Sequence, residues 1–449
     1  MPRSYHKVLN AQIAGAMAAI FLIVGRWSPE RLFGIESLRY FELNRSMLLE
    51  PRHWILPILV VTVLLLKFPR RHSVVKPDRV ASRYGRSAFR YLVLLFLYLM
   101  CSAMWAPVLG LGMLKAYDTF LTFGVLIVIG LWHLSTDAEL FHRAFWKSLV
   151  ILTGILMLCA LFSLSTGRLA VLGGGPNVFA RLMFLFAAGC MGLSQRRNIL
   201  SLFPALIAIA LVVLSGSRGG MLAAATGILV YIWTERVRFS SKFLLVTGGM
   251  AAGVLLLFFT PLGNRVYETF SFRIVELTLQ DRYTSERDIL VEEAIDIWKE
   301  YPIVGTGISG WTALMLRANE SNTTHPHNLF CELLCEGGAI AVGLLALVIW
   351  KFSQYAIHIR WRLHVPSLAC AAMFLVASQF SGDFFDSRGI FICAMLSTFP
   401  YSNGTQTIAS SAKGTWNSTQ VTNSRRLQRS QSVIFEGLPS MNYQQSNRP

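Results

Sequence analysis

The chain has 449 residues, of which 54% are hydrophobic and 14% charged, and its mean hydropathy is +0.50. A soluble surface needs about 25% charged residues, so this composition excludes an ordinary soluble globular protein and points to lipid as the main solvent. The formal net charge of +17 lies in short segments between apolar runs, which is the pattern of cytoplasmic membrane loops and not of a nucleic-acid-binding surface.

A helix needs about 20 apolar residues to cross the hydrocarbon core. By that ruler, spans fall near 8–25, 54–68, 89–107, 117–134, 148–165, 176–193, 199–215, 219–234, 243–260, 327–350, 366–380 and 389–400. The first follows a short basic segment (Arg3, Lys7) and lacks a small-residue cleavage site, so it reads as a span and not as a removed signal peptide. The expected fold is therefore all-α: a polytopic membrane protein with about twelve transmembrane helices and a large helical loop between the ninth and tenth. Residues 1–260 hold the first nine helices, 261–326 the loop, 327–400 the last three helices, and 401–449 a polar tail expected to be disordered.

Basic residues set the orientation. The connection 67–90 carries Lys67, Arg70, Arg71, Lys76, Arg79, Arg83, Arg86 and Arg90 against one acid, Asp78, and 194–198, 235–242 and 351–364 are basic too. With twelve spans these segments share one side with both termini, which makes that side the cytoplasm. The opposite face receives the 26–53 loop, where arginines alternate with Glu30, Glu36, Glu42 and Glu50, and the long 261–326 connection. Those glutamates fit an interfacial helix of paired charges; a carboxylate-borne metal site is the alternative.

The long loop contains one clear helix. Thr284 and Ser285 can cap it, with Asp288 three residues beyond Ser285. Leu290, Val291, Ala294, Ile295, Ile297 and Trp298 form its apolar face, and Arg287 projects from the middle of that face in the first turn. Arg287 either snorkels or pairs with a carboxylate, or it serves an anion at a helix N-terminus. Arg218, in the turn Ser215-Gly216-Ser217-Arg218-Gly219-Gly220, also heads a helix, and the glycines there allow close backbone approach. The run His325-Pro326-His327-Asn328 opens the tenth span. Two histidines without a third ligand nearby make a poor metal site, whereas a neutral imidazole suits a general base. Arg181, inside the sixth span, and Arg388, just before the twelfth, are possible supporting residues along with His325 and Asn328. An intramembrane arginine also keeps a transporter in view.

Two fixed cations beside a titratable base suit transfer from a diphosphate leaving group to a hydroxyl. Gly305-x-Gly307-x-x-Gly310 mimics a dinucleotide fingerprint but follows an amphipathic helix and Pro302, so it reads as a turn. The seven cysteines lie almost entirely in apolar runs and read as small buried hydrophobes, Cys331 and Cys335 at helical packing distance among them. The sequons at Asn322, Asn403 and Asn417 are what polar stretches supply by chance.

Taken together, the Ser-Gly-Ser-Arg218-Gly-Gly turn, Ser285-Glu286-Arg287-Asp288 followed by Trp298-x-x-x-Pro302-x-x-Gly305-x-Gly307, and His325-Pro326-His327-Asn328 leading to Glu336-Gly337-Gly338 resemble the O-antigen ligase and polymerase superfamily of bacterial inner membranes. The motifs cover about residues 170–340, and the topology covers the chain up to Tyr401. The resemblance implies a donor polysaccharide on undecaprenyl diphosphate and, for a ligase, a lipid A–core oligosaccharide acceptor in lipopolysaccharide biosynthesis. It implies Arg218 and Arg287 as diphosphate binders and His327 as the base, in a metal-independent, inverting reaction at the periplasmic face of the inner membrane, with no cofactor. A ligase is the expected function; a polymerase using the same donor is the alternative, and a polysaccharide flippase is the rival from another class.

Overall fold

A computed structural model describes residues 3–24, 51–66, 79–162, 175–193, 202–234, 268, 271, 287–318, 325–360 and 363–399. Every regular element among them is a helix: α1 (Arg3–Ile23), α2 (Pro51–Leu64), α3 (Arg79–Cys101, extended by a 3-10 turn to Trp105), α4 (Leu109–His133), α5 (Ala138–Phe162), α6 (Pro176–Leu193), α7 (Leu202–Leu214) and α8 (Arg218–Thr234). After these come α9 (Arg287–Glu300), α10 (Gly310–Ala318), α11 (Leu329–Ile359), α12 (Val365–Ala377) and α13 (Arg388–Ser397).

Eleven of the twelve expected span positions carry a helix. The ninth, 243–260, lies outside the described residues, as do the connections 67–78, 194–200 and 235–242, the 25–50 part of the first outer loop, Thr284, Ser285, Asn322 and the 401–449 tail. Six helices are long and apolar enough to cross a membrane, namely α1, α3, α4, α5, α6 and α11. The twelve-span expectation is met only in part among the described residues. The 10 residues of α13 and the 13 of α7 and α12 rise only about 15–20 Å, against a hydrocarbon core of about 30 Å.

Starts also differ. Helix α3 begins at Arg79 where 89 was expected, α4 at Leu109 where 117 was expected, and α5 at Ala138 where 148 was expected. A hydropathy ruler stops at charge, but Arg83 and Arg86 are exposed at a helix end and Lys115 is buried and paired.

Lipid offers no hydrophobic drive between helices, so close packing must come from small residues. On α1, Ala11, Ala14, Gly15, Ala18 and Ala19 provide such a face against α5. A Cβ on Gly15 would lie 2.6 Å from the Phe145 nitrogen. Elsewhere α3 packs on α11, α8 on α12, and α6 on α7. A separate small core of Leu290, Ala294, Trp311, Met315 and Cys335 seats α9 and α10 on α11, so the expected apolar face of α9 does turn inward.

Helix α11 is broken. Gly338 has φ +61° and ψ −165° inside it, which frees backbone groups on both sides of the break. The preceding segment takes them up. Thr306 N–H donates to Cys335 O (2.9 Å) and Gly307 N–H to Glu336 O (2.9 Å), while Ala339 and Ile340 donate to Pro302 O (3.0 Å) and Ile303 O (3.3 Å). Tyr98 on α3 bridges the two strands of this splice, donating to Val304 O and Gly337 O. Gly305 (φ +69°) and Gly307 (φ +89°) are required here, because a Cβ on Gly305 would lie 2.5 Å from the Glu336 carbonyl. The Gly-x-Gly-x-x-Gly run is thus a turn, bent to mend a helix.

Candidate functional site

The C-terminal ends of α1, α3 and α12 and the N-terminal ends of α2, α4, α6, α8, α11 and α13 meet in one layer at one end of the bundle. The bonds that join them are specific. Leu329 N–H donates to Ser378 O (3.0 Å), Ile308 N–H to Ser102 Oγ (3.0 Å), Arg388 Nε to Phe21 O (2.9 Å), and Arg52 pairs with Asp118 at 2.8 Å.

Arg218 enters this layer through its turn. Gly216 has φ +62°, and the Ser217 hydroxyl caps α8 by accepting from Gly220 N–H (2.9 Å) while donating to Asn177 Oδ1 at the start of α6. The following glycines have a packing reason: a Cβ on Gly219 would meet Phe380 Cβ, and one on Gly220 would meet Ala180 Cβ, each at 2.5 Å. Arg287, the first residue of α9, is half-buried and lies near enough to Arg218 to feel its charge. Burial and then Arg218 lower its pKa.

The histidines stand beside them. Asn328 caps α11, its Oδ1 accepting from Phe330 N–H (3.0 Å) and Cys331 N–H (3.1 Å). This fixes His327 immediately before the helix, in the left-handed region at φ +54°. The His325 ring meets the His327 ring edge to face, with centroids 4.3 Å apart. His327 Nδ1 is buried and has no hydrogen-bond partner among the described residues. Burial, then His325 and Arg287, push the His327 pKa down to about 4, against a smaller opposing pull from Asp383. The imidazole is therefore neutral, and able to accept a proton, at neutral pH.

Arg181 and Arg388 are spent differently. Arg181 is buried, and its Nη2 donates to Ala377 O (3.1 Å) and Ser381 O (2.7 Å), tying α6 to the α12–α13 connection. Arg388 donates to the carbonyls of Phe21, Leu22, Val24 and Phe385 and lies over the Phe385 ring at 4.3 Å. Both guanidiniums hold backbone in place.

Sequence reasoning missed a buried trio. Lys115 of α4 places its ammonium 2.5 Å from Glu332 Oε1 and 2.8 Å from both oxygens of Glu336. Their exposures are 8%, 1% and 3%, so three charged side chains are buried within apolar helices. The two glutamates, four apart in an apolar helix, were the available signal, since ionisable groups at membrane depth need partners. Asp383, also buried, acts electrostatically on Lys115, Glu332 and His327. Among the described residues no group of three or more His, Cys, Asp or Glu side chains is arranged to hold a metal ion.

Fold and site together define a polytopic membrane protein in which two guanidiniums at helix N-termini, an anion-binding arrangement, adjoin a neutral imidazole. Residues 203–348 match the family model described as O-antigen ligase, which supports membership of the O-antigen ligase superfamily. The matched stretch contains Arg218, Arg287, His327, Glu332 and Glu336, while Lys115, Arg181, Asp383 and Arg388 lie outside it. No curated protein matches the chain.

Proposed function

We propose that the protein is an inverting glycosyltransferase that moves O-antigen polysaccharide from undecaprenyl diphosphate to the lipid A–core oligosaccharide, at the periplasmic face of the inner membrane. The observation that carries this reading is the approach of Arg218 and Arg287 to each other beside His327. Two like charges held together are relieved by an anion with charge to spare, and planar guanidiniums suit phosphate oxygens. A left-handed histidine costs about 1–3 kcal/mol, the kind of strain that collects at functional sites.

In this mechanism His327 takes the proton from the acceptor hydroxyl. The hydroxyl oxygen bonds to the anomeric carbon as the bond from that carbon to the diphosphate oxygen breaks. The electron pair leaves with the diphosphate, whose charge Arg218 and Arg287 hold. The two arginines supply positive charge that a divalent ion supplies in other phosphate-leaving reactions.

The orientation rests on charge. Arg83, Arg86 and Arg90 near the start of α3, with Lys351 and Arg360 at the far end of α11, gather opposite the site, which favours a cytoplasmic location for them. The broken α11 and its buried charges do resemble transporter architecture. The 302–307 segment, however, bonds the freed backbone groups.

The test is transfer by the purified protein, run beside a binding measurement with undecaprenyl diphosphate. His327→Ala is expected to keep donor binding and lose turnover by about 10²–10⁴-fold. Arg287→Ala should lose both, with partial rescue by Arg287→Lys. His325→Ala should matter less. Normal transfer by His327→Ala would overturn the mechanism. Supplying either lipid A–core or a second lipid-linked glycan as acceptor separates ligase from polymerase.

A further inference from the structure

The end of the bundle opposite the site carries its own arrangement of charge, and no step above uses it. Helix α3 begins there and α11 ends there. A Cβ on Gly85 of α3 would stand 3.2 Å from the Tyr355 ring of α11, and the Tyr84 and His358 ring centroids are 4.9 Å apart. On α3, Arg83, Arg86 and Arg90 follow one another at three and four positions, so they form one row along the helix. The buried residues Ala88, Leu92, Leu95, Phe96 and Leu99 occupy its other face. All three arginines are exposed, and their row continues into Leu94 and Leu97, exposed at 50% and 44%. The row therefore looks away from the bundle, along the surface that lipid covers.

Nothing in the local sequence neutralises it. No acidic residue occurs between Arg79 and Cys101 or between Gly337 and His364, and like charges one turn apart oppose the helix that bears them. The candidate span that includes the row runs Arg83–Trp105. A hydrocarbon core of about 30 Å, measured back from Trp105, ends near Arg86. Arg90 is thus rooted inside that edge, and its side chain must extend outward for the guanidinium to reach the headgroups. Aromatic rings of the kind that settle at headgroup level stand beside the row. Lys351 of α11 lies over the rings of Trp350 (4.1 Å) and Tyr84 (5.7 Å) and donates to Gln354 Oε1 (3.1 Å).

We propose that the row of Arg83, Arg86 and Arg90, with Lys351 beside it, binds the phosphate headgroup of an anionic phospholipid whose acyl chains lie on Leu94 and Leu97. Each guanidinium can donate two parallel bonds to phosphate oxygens, and a negative headgroup relieves the repulsion along the row. The apolar surface directly below the cations fits a lipid, whereas a soluble phosphate or an acidic protein segment has no use for it. Lipid binding here is independent of the glycan-transfer reading above.

The test is native mass spectrometry of the full-length protein titrated with phosphatidylglycerol or with phosphatidylcholine. The wild type is expected to hold phosphatidylglycerol more tightly, with a preference that shrinks as ionic strength rises. Arg83→Gln, Arg86→Gln and Arg90→Gln should each weaken phosphatidylglycerol binding about fivefold and leave phosphatidylcholine unmoved. Arg90→Lys, which keeps the charge, should keep most of the preference. Arg143→Gln is the control, because that arginine already pairs with Glu139 at 2.6 Å, and it should bind as the wild type does. Absence of a preference in the wild type overturns the inference. An equal loss in Arg143→Gln overturns it too, since the effect would then be one of net charge alone. Displacement of phosphatidylglycerol by glycerol 3-phosphate at the same concentration would make the ligand a soluble phosphate and overturn the lipid assignment. Should one glutamine variant not fold, the other two are read by the same criteria.

Discussion

The rim of the site and the layer beneath it are both rich in charge, and they are held in opposite ways. On the rim, Arg218 and Arg287 repel each other and His327 occupies a strained backbone region, all three half-buried. In the layer, Lys115 meets Glu332 and Glu336, and Arg52 meets Asp118, with every partner nearly fully buried. In the layer, opposite charges already meet. At this end of the bundle, then, like charges face each other on the rim and opposite charges pair beneath it.

The largest expected effect breaks or sharpens that contrast directly. Lys115→Ala leaves two buried carboxylates without a countercharge and should destabilise the protein by about 3–5 kcal/mol. Arg287→Ala, which removes one of two repelling cations, should change stability by less than about 0.5 kcal/mol. Thermal unfolding in detergent measures both, and equal losses would erase the distinction. Next comes Gly338→Ala, expected to cost about 1–3 kcal/mol because its φ of +61° and its approach to Ile303 O leave no room for a Cβ. Gly343→Ala, with nothing within 4 Å of the new Cβ, should stabilise the same helix by up to about 1 kcal/mol.

The pH dependence is subtler. With His327 titrating near 4, kcat/KM should stay level well below the ordinary histidine value of about 6.5 and fall only as pH nears 4. Arg287→Gln removes a cation that opposes protonation, so the acidic limb should move up towards 6.5. The sign for stability follows from proton counts. Between the folded and unfolded pKa values the unfolded chain binds more protons, so His327 destabilises the fold progressively as pH falls from about 6.5 to 4. A wild-type limb near 6.5 would show that the rim does not act on its histidine. The smallest effect expected is none: transfer by the purified protein should be unchanged in excess chelator, and activity restored by added divalent metal would contradict that.

Local chemistry made the rim legible in the sequence. A glycine-rich turn before a helix pointed to Arg218, an amphipathic helix with a cation on its apolar face to Arg287, and a histidine pair around a proline at the start of an apolar span to His327. The layer was not legible in this way, because its partners lie far apart in the chain: Lys115 and Glu332 are separated by 217 positions. A hydropathy ruler read Lys115 as the edge of a span, when its pairing places it inside one. Asp383 lies in a buried connection whose residues are individually unremarkable, and only the return of α12 and α13 to the start of α11 brings it near the base. The break at Gly338 was not anticipated either, since 327–350 read as one uninterrupted span, and nor was the segment that mends it.

That break bears on how the chain is made. A helix fractured at Gly338 cannot be released into lipid as a free-standing rod, since each unbonded backbone group in hydrocarbon costs several kcal/mol. The groups that satisfy it belong to residues 302–307, which leave the ribosome before the helix that needs them. The splint is therefore synthesised ahead of the fracture, and the vulnerable moment is the interval between the emergence of Gly338 and the docking of that segment.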